Sequence, residues 1–177
     1  MKQSNILSSL LAGSIATLLM ALAGTATAGT AGGTLSTTAT VNTNCTVNSP
    51  TLTFAAIDPT AGVNSTGSAT ISVACTKSTT LVDIKLGPGA HQIAGGSRQL
   101  NNGANNIKYG LFTDAAFTTA WGDSTTTGIG NKLSSGFSAF TSVSTPQTFS
   151  VFGQILAADE DVPAATYTDS VAITVDF

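Results

Sequence analysis

The sequence predicts an all-β domain of the sandwich kind, and three observations predict it. Apolar and polar residues alternate in short runs, the period of a half-buried strand. Gly, Asn, Asp and Pro punctuate those runs as turn residues. Beyond the first 28 residues, no long stretch carries the 3.6-residue spacing of an amphipathic helix.

The elements follow in chain order. Leu35, Ala39 and Val41 share one face, with Thr37 between them. Pattern alone slightly favours an ordinary first strand here over a strand offered to another molecule. Ser68–Ala74 predicts a strand with Ala69, Ile71 and Val73 on one face. Leu81–Leu86 predicts another, with Val82, Ile84 and Leu86 alternating against Asp83 and Lys85, and Gly87-Pro88-Gly89 ends it as a turn. Ile107–Thr113 places Ile107, Tyr109 and Leu111 together. Asp114-Ala115-Ala116 allows one helical turn. Residues 124–146, rich in Ser, Thr and Gly, read as a long loop with a weak edge strand. Gln147–Leu156 is almost continuously apolar, which predicts a strand buried on both faces. Thr166–Phe177 is the clearest strand. Its odd positions are Tyr167, Asp169, Val171, Ile173, Val175 and Phe177, and its even positions are mostly polar.

The N-terminus predicts export. A basic start at Lys2, an apolar run from Ile6 to Leu22 and the small residues Ala26-Thr27-Ala28 make a secretory signal over 1–28. Gly and hydroxyl residues interrupt the run, which argues against a membrane anchor. Gly29–Phe177 then suits one domain. Cys45 and Cys75 predict one disulfide in an oxidising compartment.

Composition excludes several functions. Charged residues are 8% of the chain, against about 25% in an ordinary globular domain. A net charge of −3 and a pI near 4.7 do not supply the basic footprint of a nucleic-acid binder. His91 is the one histidine, and no G-x-S-x-G elbow accompanies it, so nothing predicts an enzyme or a cofactor. Asp159-Glu160-Asp161 reads as a solvated acidic loop in preference to a hard-cation site. Trp121 reads as a core residue in preference to a sugar-stacking one.

Several motifs are familiar as a set. Asn106-Ile107-Lys108-Tyr109-Gly110-Leu111-Phe112-Thr113-Asp114-Ala115-Ala116, followed by Trp121-Gly122-Asp123, resembles the central motif of the spore coat protein U family, which includes the Csu-type subunits of archaic chaperone–usher pili. Val151-Phe152-Gly153-Gln154-Ile155, Val162-Pro163-Ala164 and the run from Tyr167 to Phe177 resemble its last two strands. Cys45-Thr46-Val47 and Val73-Ala74-Cys75 match its two-cysteine arrangement. The penultimate residue is Asp176 and the aromatic is terminal, which fits the archaic branch.

The resemblance implies an incomplete immunoglobulin-like β-sandwich, lacking its final strand and completed by donor-strand exchange. It implies a donor strand over 29–43, carried by Leu35, Thr37, Ala39 and Val41, and a pilin domain over 44–177. The acceptor groove would lie along Tyr167, Val171, Ile173, Val175 and Phe177. The implied partners are like subunits, a periplasmic chaperone and an outer-membrane usher. The chain would pass through the periplasm to a surface pilus that supports adhesion and biofilm formation. The alternatives are a self-completed spore or surface coat protein, and a carbohydrate-binding tip adhesin.

Overall fold

A computed structural model describes residues 28–93 and 96–177. Apart from Ala28, the expected export signal lies outside the described residues. Residues 28–44 are exposed and belong to no strand, so the segment is not the ordinary first strand that pattern alone favours. A compact unit spans Thr40–Phe177, four residues earlier than the expected domain start at 44.

Within that unit the fold is all-β, consistent with an immunoglobulin-like sandwich. The strands are β1 (Cys45–Val47), β2 (Thr53–Phe54), β3 (Ser65–Cys75), β4 (Asp83–Leu86), β5 (Arg98–Asn101), β6 (Asn106–Phe112), β7 (Gln147–Ile155) and β8 (Ile173–Asp176). One sheet has the order β1-β3-β7-β6-β5, with β2 also on β3, and a second pairs β4 with β8. All these pairs are antiparallel. A single antiparallel bridge from Asn101 to Thr168 ties β5 to the segment leading into β8.

The core lies between these sheets. Ile71 and Val73 of β3, Ile84 and Leu86 of β4, Ile107 and Leu111 of β6, and Val151 and Ile155 of β7 are buried together. Trp121 is fully buried among them, and its Nε1–H donates to the Ile84 carbonyl at 3.0 Å. It is a core residue, as expected. Cys45 lies directly opposite Cys75 in the β1–β3 ladder, and the two form a disulfide with Cα atoms 4.1 Å apart.

Four local expectations are corrected. Val82 is exposed and Asp83 is buried. Lys132 reaches Asp83 Oδ2 at 2.5 Å and Lys85 lies 3.4 Å from Oδ1, so the carboxylate is neutralised inside and alternation fails there. Strand β7 is buried on one face only, because Thr148 and Ser150 point outward from an uncovered side of the sheet. Asp114-Ala115-Ala116 is a turn, with the Asp114 carboxylate accepting from the Ala116, Thr118 and Thr119 amides. Glu160 is no solvated loop residue. It is 1% exposed, and its Oε1 accepts the Ser65 amide at 3.1 Å, just after a short 3-10 turn over Ala157–Asp159.

Candidate functional site

The chemistry of this chain lies in what its backbone leaves unpaired. From 167 onward the even residues bond to one side. Thr168 exchanges two hydrogen bonds with Asn101, at 2.9 and 3.0 Å. Ala172 accepts from Gly87 at 2.9 Å, and Thr174 lies opposite Lys85 in the β4–β8 ladder. Alternate residues of an antiparallel strand bond to the same neighbour. Tyr167, Asp169, Val171, Ile173 and Val175 therefore direct their N–H and C=O groups to the other side. No strand is paired with that side among the described residues.

A second edge faces it. Ala55 donates to Thr66 and Asn48 donates to Ser72, both at 3.1 Å. By the same alternation, Leu52 and Phe54 turn their backbone groups away from β3. Ser49-Pro50-Thr51 separates β1 from β2, and Pro50 has no N–H to offer. The two edges run in opposite directions. Five antiparallel steps, from β1 through β3, β7, β6 and β5 to the 167–176 segment, leave the first and last strands antiparallel.

Between these edges lies an apolar cleft of two adjoining lobes. The first is about 620 Å³ and is walled by Phe54, Ile57, Ile107, Ile155, Val162 and Tyr167. The second is about 510 Å³ and is walled by Val47, Ile71, Leu86, Leu111, Val151 and Val171. Leu52, Phe54, Leu100 and Asp169 belong to both. At the far end β1 approaches β8, and Val47 and Ile173 line the second lobe.

Asp169 marks the boundary between the lobes. Its side chain is 1% exposed. The Tyr109 hydroxyl donates to Oδ2 at 2.7 Å, the Ala90 amide donates to Oδ1 at 2.8 Å, and His91 Nδ1 lies 3.3 Å from Oδ1. Burial and the neighbouring carboxylate push the Tyr109 phenol well above its ordinary value, so it stays a donor. Buried Arg98 stands beside this group and donates to the carbonyls of Leu86, Gly87 and Trp121. Its own value is lowered by burial.

The sequence-predicted residues divide clearly. Tyr167, Val171 and Ile173 are half-buried and line the cleft, Val175 is half-buried but lines neither lobe, and Phe177 is 50% exposed beyond β8 and also lines neither. Leu35, Thr37, Ala39 and Val41 are exposed, Leu35 at 89% and Val41 at 81%. His91 is exposed, as expected. Sequence reasoning missed Phe54 and Leu100, which sit in strands too short to show alternation, and Leu52, which precedes β2. It also missed Asp169, the polar member of an apolar face; that interruption was the available signal.

No group of three or more His, Cys, Asp or Glu side chains is arranged for a metal ion among the described residues. Comparison with known proteins adds family to fold. The Spore Coat Protein U domain model matches residues 31–174. Protein U of Myxococcus xanthus is 31% identical over 139 residues, which cover 72% of this chain and 72% of that protein. This chain therefore belongs to the spore coat protein U domain family.

Proposed function

We propose that this chain is a structural subunit of a chaperone–usher pilus, polymerised by insertion of one subunit's N-terminal segment into the cleft of the next. One observation carries the reading: an apolar cleft bounded by two unpaired strand edges, in a chain whose residues 28–44 belong to no strand. An inserted strand would bond to both edges and bury its inward side chains in the lobes. The chain is exported through its signal over 1–28, held by a periplasmic chaperone and passed to an outer-membrane usher. The open edge explains the chaperone, since an uncovered apolar strand edge is an aggregation hazard. Adhesion and biofilm support are the roles of the resulting fibre. The unpaired state of residues 28–44 favours a polymer over a self-completed coat monomer.

Truncation tests this. The mature chain begun at Asn42 and produced with its chaperone is expected as a chaperone-bound monomer that cannot donate. The full mature chain is expected to form ladders that resist SDS and collapse on boiling. Ladders from the truncated chain, or a full chain that folds alone as a stable monomer, would refute the reading.

A further inference from the structure

We infer that a hollow on the outer face of the β5-β6-β7 sheet, lined by Phe112 and the Lys108–Asp159 ion pair, binds one ring of a neutral saccharide. The site belongs to a single copy and does not rest on the polymerisation reading.

The face comes first. Arg98 pairs with Tyr109 across β5 and β6, and both side chains are buried. Their neighbours Ser97, Lys108 and Gly110 therefore lie on the outward side. Gln154, between buried Gly153 and Ile155, also faces outward and stands directly opposite Gly110 on β7. Gly110 has no side chain, and a hollow of about 220 Å³ opens among its neighbours. That is smaller than the roughly 300–1,000 Å³ of a drug-sized ligand site and suits a single ring. The apolar cleft uses the other face of the same strands, through Ile107, Leu111, Val151 and Ile155.

The aromatic wall is held in place. A Cβ on Gly110 would meet the Phe112 ring at 2.7 Å, so only glycine lets that ring lie across the sheet. Phe117 packs edge-on to Phe112, with centroids 5.6 Å apart. Phe117 has a φ of 55°, a left-handed conformation that aromatic residues rarely adopt. The amides bound to the Asp114 carboxylate fix the turn around it. Strain of this kind persists where its surroundings over-determine it.

The polar groups come next. Ser97 and Gln154 are half-buried, and neither side chain has a hydrogen-bond partner among the described residues. Lys108 Nζ and Asp159 Oδ1 lie 3.5 Å apart, and their charges cancel. A free ion of either sign would meet one of that pair with its own charge. The lining thus combines a hydroxyl, an amide and a neutralised ion pair with the apolar Phe112 and Leu156. A sugar ring asks for both kinds of contact, donors and acceptors for its hydroxyls and an apolar surface for its C–H face.

Saturation-transfer NMR tests this, because it reads weak binding to particles of any size. The full mature chain is used in the form in which cells release it, with methyl glucopyranoside, methyl galactopyranoside and methyl mannopyranoside as probes. At least one is expected to receive saturation on its ring C–H protons. Gln154→Leu is expected to weaken binding of that probe about tenfold. Thr148→Val, exposed on the same face and outside the hollow, is expected to leave it unchanged. Asp159→Asn carries the same expectation as Gln154→Leu and replaces it as the test where that variant does not fold. No transfer to any of the three probes, or equal affinity in the variant and the parent, would overturn the site. Stronger transfer to glucuronate or to glucosamine would overturn the neutral class. Binding by a chain that folds alone as a stable monomer would uphold the site while refuting the polymer.

Discussion

Single residues here act through partners far away in sequence. Asp83 is held by Lys132, 49 residues on, and Glu160 by the Ser65 amide, 95 residues back. Neither partnership is visible in a local window, which is why the alternation at 81–86 and the acidic run at 159–161 misled. Trp121 was legible, because one large aromatic among short strands has few places to go but the core. Trp121→Ala should cost about 3–5 kcal/mol, read as a lowered unfolding midpoint; a neutral result would move the indole to the surface. Asp123 provides a pH signature. Burial pushes its carboxyl up, but the Thr126 hydroxyl and the Thr125 and Thr126 amides outweigh this and hold it at about 2. A folded value below the ordinary 3.8 means its stabilisation is full above pH 3.8 and is lost as pH falls through about 2. Asp123→Asn should therefore flatten that part of the acid-unfolding curve, followed by circular dichroism.

At the scale of elements, alternation and burial agree best where strands are long. β3, β6 and the last strand were legible because several alternate positions face one core. β1, β2 and β5 were not, because two to four residues carry no period and Arg98-Gln99 is a polar pair buried by tertiary contacts. The bridge between Cys45 and Cys75 staples β1 to β3 beside the cleft. Cys45→Ser should lower stability by roughly 3.5 kcal/mol on loop-closure grounds, seen as reduced periplasmic yield and a lower melting temperature. Gly67 and Gly153 face each other in the β3–β7 ladder. A Cβ on Gly67 would meet the Thr53 carbonyl at 2.4 Å, and one on Gly153 would meet Leu52 and Phe54 at 2.9 Å. These glycines let the cleft wall lie flat on the sheet. Gly153→Val should push Leu52 and Phe54 into the lobes, so that ladder formation falls more than chaperone-bound yield does. Equal losses in both would mark a general folding defect.

At the scale of the molecule, the sandwich was legible from composition and period, and the cleft was not. An empty cleft has no residues of its own to read; only the apolar face that lines it remains, and Tyr167–Val175 looks like any half-buried strand. The family motifs supplied what periodicity could not. The opposed directions of the two bare edges also have a numerical consequence. Under the assembly proposed, every junction joins unlike parts, so a row of copies has two different ends. In an open row, however many copies are added, one cleft is left vacant and one tail unused, because each identical copy that fills a cleft brings its own. Only closure into a ring, a terminal member of another kind, or a permanent occupant fills the last cleft.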